Sequence, residues 1–256
     1  MKKLRVLYAR EMLEAARSYK LIWIPVVFII LGIMQPLVTF YMPDILAASS
    51  NVPAGFLESY EMPGANAVMA EALGQYGTIG MLILALGAMN SLAGERAAGT
   101  AELLMAKPVS PAAVVAAKWA ANLTVLIVAL GLGAAGAAYY TVQLMGALSW
   151  SAAAVSSGIY ALWLLCTVSL TLLFSAWLRG PAAACLALLL AAGMSLGYSL
   201  LPDWLGWTPA ALPAVSAGIL NDSGPAGGAP VISAVVLIIL CIAGASLLAG
   251  RNKLPD

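Results

Sequence analysis

The chain has 256 residues, 62% of them hydrophobic and 9% charged, against roughly 45–50% and about 25% in soluble globular domains. That balance excludes a soluble fold; it accommodates about six spans of roughly 20 residues with short connections, and no separate catalytic domain beside them. Histidine is absent, which removes His-ligated metal centres and Ser-His intramembrane proteases, and a net charge of +1 matters less than where the charges stand.

Residues 1–20 carry six Lys or Arg and two Glu. Lys3, Arg10, Glu14 and Arg17 recur at spacings of seven, four and three, one helical stripe, while Leu4, Leu7, Tyr8, Met12 and Leu13 lie elsewhere. The pattern predicts an amphipathic interfacial helix with its basic face toward anionic lipid. Residues 21–42 form the first apolar run, long enough at about 33 Å to cross the hydrocarbon core. It exceeds a signal-peptide h-region and reads as a retained span, bent at Pro25 or Pro36.

Residues 43–73 hold Asp44, Glu58, Glu61 and Glu71, no Lys or Arg, and Pro43, Pro53 and Pro63. An extended loop with at most one short interfacial helix is expected there. The second span is 74–93, followed by the charged stretch 94–110, GERAAGTAELLMAKPVS, and a third span at 112–140. Gly131, Gly133 and Gly136 in that span permit close helix packing. Their G-x-G-x-x-G spacing is no nucleotide fingerprint, because no strand precedes it. A polar turn at 141–151 leads to the fourth span, 152–178, and Arg179-Gly180-Pro181 to the fifth, 182–201, where Gly193 and Gly197 have the GxxxG spacing of a helix contact. Residues 202–230 carry Asp203, Asp222, five prolines, Trp204 and Trp207; the last span is 231–249.

All twelve Lys and Arg fall in the N-terminal lead, the 94–118 region, the 179–181 turn and the C-terminal tail. Six spans with both termini cytoplasmic is the assignment that obeys the positive-inside rule, and it places 94–110 in the cytoplasm. The three outward connections then contain only acids. Trp23, Trp119 and Trp177 sit near the inner interface and Trp150, Trp204 and Trp207 near the outer one, with Trp163 alone deep.

No ionisable group lies in the middle of a span, so proton coupling and Asp-based membrane transferase chemistry lose their support. Gln35, Asn90, Asn122, Gln143, Thr167, Ser169, Thr171 and Ser175 are better explained by helix-to-helix hydrogen bonds than by substrate. Cys166, Cys185 and Cys241 form no CxxC pair and read as packing residues. The energy for any transport therefore comes from a partner, which docks on the one sizeable structured cytoplasmic loop. Glu95 and Arg96 begin a helix-prone run through Met105; Pro108 breaks it, and Ser110-Pro111 supplies an N-cap with Pro in the first turn. Such a loop is also compatible with an inert hairpin.

The segment GERAAGTAELLMAKPVSPAAVVAAKW resembles the signature of ABC-2 type transporter permeases, E-R-x-x-G-T-x-E-x-L-L-x-x-P-V-S followed by a Lys entering the third span. Matching positions are Glu95, Arg96, Gly99, Thr100, Glu102, Leu103, Leu104, Pro108, Val109, Ser110 and Lys118. The resemblance implies an all-α, type V exporter-like permease, a single six-span domain over 1–256 with an N-terminal interfacial helix (1–20) and a coupling helix within 94–110. It further implies a bacterial plasma-membrane exporter subunit of a small molecule, peptide or antibiotic. This is no enzyme and binds no cofactor itself, since ATP and Mg are handled by two cytoplasmic ABC ATPase subunits. A second permease copy or paralogue and membrane lipid are the other partners, with no nucleic acid. The outer 202–230 segment becomes a re-entrant element, with Trp204 and Trp207 at the outer gate. The competing expectation is a non-transporting scaffold, resistance or maturation protein that binds a partner through its acidic outer loops.

Overall fold

The computed structural model describes residues 2–48, 61–99, 110–221, 223 and 227–251. Among them there is no strand, and six helices are long and apolar enough to cross a membrane. A preceding helix, α1 (Lys2–Arg17), leads to the spans α2 (Lys20–Ala48), α3 (Ala65–Ala97), α4 (Pro111–Met145), α5 (Trp150–Ser175) and α6 (Gly180–Leu200). Two short helices, α7 (Pro202–Leu205) and α8 (Leu212–Leu220), precede the sixth span, α9 (Gly228–Arg251). Span α5 is the most enclosed, with Tyr160, Trp163 and Leu164 in the core.

Three expected boundaries move, one of them the end of α4, which continues from residue 140 to Met145 and stops at Gly146, φ 97°. Helix α2 does not stop at residue 42 but runs through Pro25, Pro36 and Pro43 to Ala48. Each proline removes one backbone bond; Pro25 and Pro36 are buried, so packing against neighbours holds the helix across them, while Pro43, at the expected start of the loop, is half-buried and does not end it. The acidic loop expected over 43–73 likewise gives way to helix from Ala65. There Ala65, Val68, Met69, Ala72 and Leu73 form an i, i+3, i+4, i+7, i+8 stripe that is buried in the bundle.

Span α3 is interrupted by one wide π-helical turn, Tyr76–Gly80. Such turns displace carbonyls from the regular ladder, and here the Tyr160 hydroxyl donates to Gly74 O at 3.5 Å. The Tyr76 ring stacks on Phe28 at 4.9 Å and its hydroxyl donates to Phe28 O at 3.0 Å. This bond ties α3 to α2 at the point where α2 crosses α4. The crossing is backbone on backbone: a Cβ on Gly32 would overlap Gly133 O and the Tyr76 hydroxyl, and one on Gly133 would lie 2.7 Å from Phe28 O. Of the three glycines expected to pack, Gly133 makes the crossing and Gly136 meets Ile33, whereas Gly131 faces open space.

The Gly193–Gly197 pair makes no helix contact of the expected kind. Gly193 has nothing within 4 Å and Gly197 meets only the Leu205 side chain, because this face of α6 points out of the subunit. Beyond α6, α8 folds back onto the bundle. The Ser156 hydroxyl donates to Ser216 O at 2.8 Å and the Ser216 hydroxyl to Ser156 O at 3.0 Å, both buried. That reciprocal pair satisfies polar groups which would otherwise be stranded in an apolar setting.

The crossing makes a test within one helix. Gly133→Ala should destabilise the protein by about 1–3 kcal/mol, the usual penalty for overpacking, while Gly131→Ala should stay within about 0.5 kcal/mol of the parent. Melting temperature in detergent reads the difference, and equal effects of the two substitutions would refute the assigned crossing.

Candidate functional site

The polar groups nearest the 94–110 stretch are drawn together at one end of the bundle. Lys118 enters there on the second turn of α4 and is 1% exposed. An ammonium group so placed must be paired, since an isolated buried charge costs several kcal/mol. Its Nζ lies 3.0 Å from both Glu11 oxygens and 3.0 Å from Glu95 Oε1. Arg10 Nη2 reaches the same Glu95 oxygen at 3.2 Å, bringing two positive and two negative side chains together. The four groups belong to α1, α3 and α4, so this cluster is where the interfacial helix is fixed to the spans. The Tyr8 hydroxyl, 2.8 Å from Thr124 Oγ1, adds a second tie between α1 and α4.

Burial pushes the Glu11 carboxyl above its ordinary value; Lys118 opposes that shift, while Glu95 and Glu14 reinforce it. A raised folded-state value means that Glu11 favours folding most at low pH, below its unfolded value. That contribution is lost as pH rises through the folded value.

Arg96, the next residue after Glu95, faces a different neighbour. Its guanidinium donates to Ser175 O at 3.0 Å, Trp177 O at 3.0 Å and Leu178 O at 2.5 Å, the unsatisfied carbonyls at the end of α5. The exchange runs both ways, because Leu92 N and Ala93 N donate to the buried Ser175 Oγ at 3.0 and 3.1 Å. Close by, Gly180 lies against the Asn90 amide with no room for a Cβ. Gly99 then ends α3 in the left-handed region at φ 66°, its N–H donating to Arg96 O at 3.2 Å. Glycine takes that conformation without the Cβ penalty.

Three signature positions thus have local structural reasons: Glu95 binds α1 and α4, Arg96 caps α5, and Gly99 stops α3. Ser110 caps α4, accepting from Ala113 N at 3.3 Å with Pro111 at the first position. Thr100, Glu102, Leu103, Leu104, Pro108 and Val109 lie outside the described residues. Trp204, on α7, and Trp207, just beyond it, are 80% and 60% exposed, at the far end of α6 from Gly180, a helix about 31 Å long at 1.5 Å per residue. They do not join the charged cluster.

Arg10 and Glu11 were not legible as site residues. Arg10 belonged to the stripe assigned to lipid, whereas the structure turns it to Glu95, and Glu11 had no periodic signal of its own. The usable clue was Lys118, a lone cation in an otherwise apolar helix, which demands a carboxylate partner from elsewhere. Among the fourth-span polar residues, Ser169 Oγ accepts from Trp119 Nε1 at 3.0 Å and Ser175 serves the junction, as helix-bonding groups.

Replacing Lys118 with Met should destabilise the protein by about 3–5 kcal/mol, because two carboxylates are left at the cluster with Arg10 as their cation. Adding Glu11→Gln should restore at least about 1 kcal/mol of that loss, a coupling that thermal melts of the two single variants and the double variant measure. Simple additivity of the two changes would exclude the network.

Residues 5–221 match a family model described as an ABC-2 family transporter protein, a stretch holding every member of the junction. The chain is also 39% identical over 212 residues to an uncharacterized transmembrane protein, YxlG, of Bacillus subtilis (strain 168), with 82% of each chain covered. With six membrane-crossing helices and that match along most of its length, the chain belongs to the ABC-2 transporter family, as a multi-pass transport component of the membrane.

Proposed function

We propose that this chain is the permease subunit of an ABC exporter, driven by two separate cytoplasmic ATPase subunits that bind ATP and Mg and dock on the 94–110 loop. A second permease copy or paralogue completes the path, and Trp204 and Trp207 rim its outer gate. The cargo class is a small molecule, peptide or antibiotic. The observation that carries this reading is the back-to-back arrangement of Glu95 and Arg96 at the root of the loop. A push on the loop reaches α1 and α4 through Glu95 and α5 through Arg96, so one displacement is shared by four helices. Rigid-body movement of packed helices around such a joint is an established form of switching. Family membership supports the membrane-subunit role, and the concentration of Lys and Arg near this end supports its cytoplasmic placement.

The same geometry separates docking from transmission. Ala97, Ala98 and Gly99 are exposed at the start of the loop, while Arg96 is turned into the bundle. Ala98→Trp should lower recovery of the co-expressed ATPase in mild detergent by about tenfold or more, the effect of losing a contact on the scale of an interface hot spot, with the melting temperature unchanged. Glu95→Ala with Arg96→Ala should instead abolish ATP-dependent export from vesicles while a folded protein is still recovered from the membrane. Export and ATPase recovery at parental levels in both variants would overturn the coupling role.

A further inference from the structure

Beside the junction, and bordered by its Glu11, a cavity of about 50 Å³ lies between α1, α2, α3, α4 and α5. Its polar lining is Glu14, Lys20, Asn90, Ser91 and Asn122, together with Glu11, and its inner wall is apolar, including Leu84 and Val125. Glu14 and Asn90 are exposed and edge the mouth, whereas Ala15, Gly87 and Ala121 are buried behind them.

The hydrogen-bond inventory determines what the cavity can accept. Both Glu11 oxygens are occupied by Lys118. The Asn122 amide nitrogen donates to Ser91 Oγ at 3.3 Å and to Lys118 O at 2.9 Å, which leaves its carbonyl oxygen as an acceptor. The Glu14 carboxylate makes no ion pair or hydrogen bond among the described residues. Lys20 Nζ donates to Gly87 O at 2.8 Å and keeps two N–H groups. The open positions are thus acceptors at Glu14 and Asn122 with one cation, Lys20, next to them.

Size narrows the class further. At about 10–15 Å³ for each water-sized group, the cavity holds roughly three to five of them, far below a drug-sized pocket of about 300 Å³ or more. We propose that it binds a primary ammonium on a short arm that also carries an anionic oxygen, the ammonium on Glu14 and Asn122 and the anion on Lys20. The headgroup of phosphatidylethanolamine has this chemistry, and an amphipathic helix such as α1, which edges the cavity, lies at headgroup depth; soluble phosphoethanolamine is the other source. A trimethylammonium headgroup has no N–H to donate and exceeds the space. This site does not depend on the transport reading, and its test does not use transport.

The experiment is native mass spectrometry of the full chain with equimolar phosphatidylethanolamine, phosphatidylcholine and phosphatidylglycerol of matched acyl chains. Phosphatidylethanolamine should be retained over phosphatidylcholine by about fivefold, the ratio expected of one charge-assisted hydrogen bond at a half-exposed site. Glu14→Gln, at an exposed position, and Ala121→Leu, which fills the cavity without altering a charge, should each bring the ratio to within about twofold of unity with the circular dichroism of the parent. Displacement of the lipid by millimolar phosphoethanolamine would identify the soluble compound as a sufficient ligand; resistance to displacement would identify the tethered headgroup. Equal retention of phosphatidylethanolamine and phosphatidylcholine by the parent, or a preference that survives both substitutions, overturns the proposal.

Discussion

One buried ammonium group organises an entire end of this protein. Lys118 enters an apolar helix where water cannot solvate it, so two carboxylates must come within 3.0 Å. One arrives on α1 and the other on α3, and neither helix can shift by a turn without stranding a charge. Consecutive helical residues point about 100° apart, so fixing Glu95 toward α4 also fixes Arg96 toward the end of α5. A local electrostatic requirement thereby sets the register of four elements at once.

The other half of the bundle is held by different physics. Where α2 crosses α4, glycine brings the backbones together, and the stacked Tyr76 adds a hydrogen bond at the same place. In a membrane, apolar burial alone does not distinguish a neighbouring helix from lipid, so close packing and polar pairing supply the specificity. The reciprocal serine pair of α5 and α8 uses the second device, and the Gly32–Gly133 crossing uses the first. Among the described residues the ion pairs gather at the end that carries the 94–110 loop, while close-packed glycines, hydroxyls and the Gln35–Glu71 hydrogen bond serve the rest. On the proposed function, that division concentrates the mechanical linkage where the loop begins.

Six spans and family membership were legible from hydropathy, charge placement and the ERAAGT signature, and the limits of α5, α6 and α9 to within about three residues. So was the cap at Ser110, because Ser-Pro ahead of an apolar run leaves few alternatives. Misreadings arose where a local rule competed with a tertiary one. Prolines argued for ending α2 at residue 42 and for a loop before residue 74, but α2 passes Pro43 to Ala48 and the apolar stripe from Ala65 starts the next helix nine residues early. The GxxxG spacing in α6 argued for a contact that the fold does not make within the subunit.

The sequence by itself determined the membrane class, the number of spans and the position of the charged loop. Those follow from composition and length, which act through the bilayer rather than through any particular neighbour. Tertiary structure alone decided what Glu95 and Arg96 touch, which of three glycines meets another helix, and that Arg10 and Glu11 complete a network begun by Lys118. Each of these depends on which residue another helix places opposite, at separations of 23 to 107 positions along the chain, and no periodicity within a single helix encodes it.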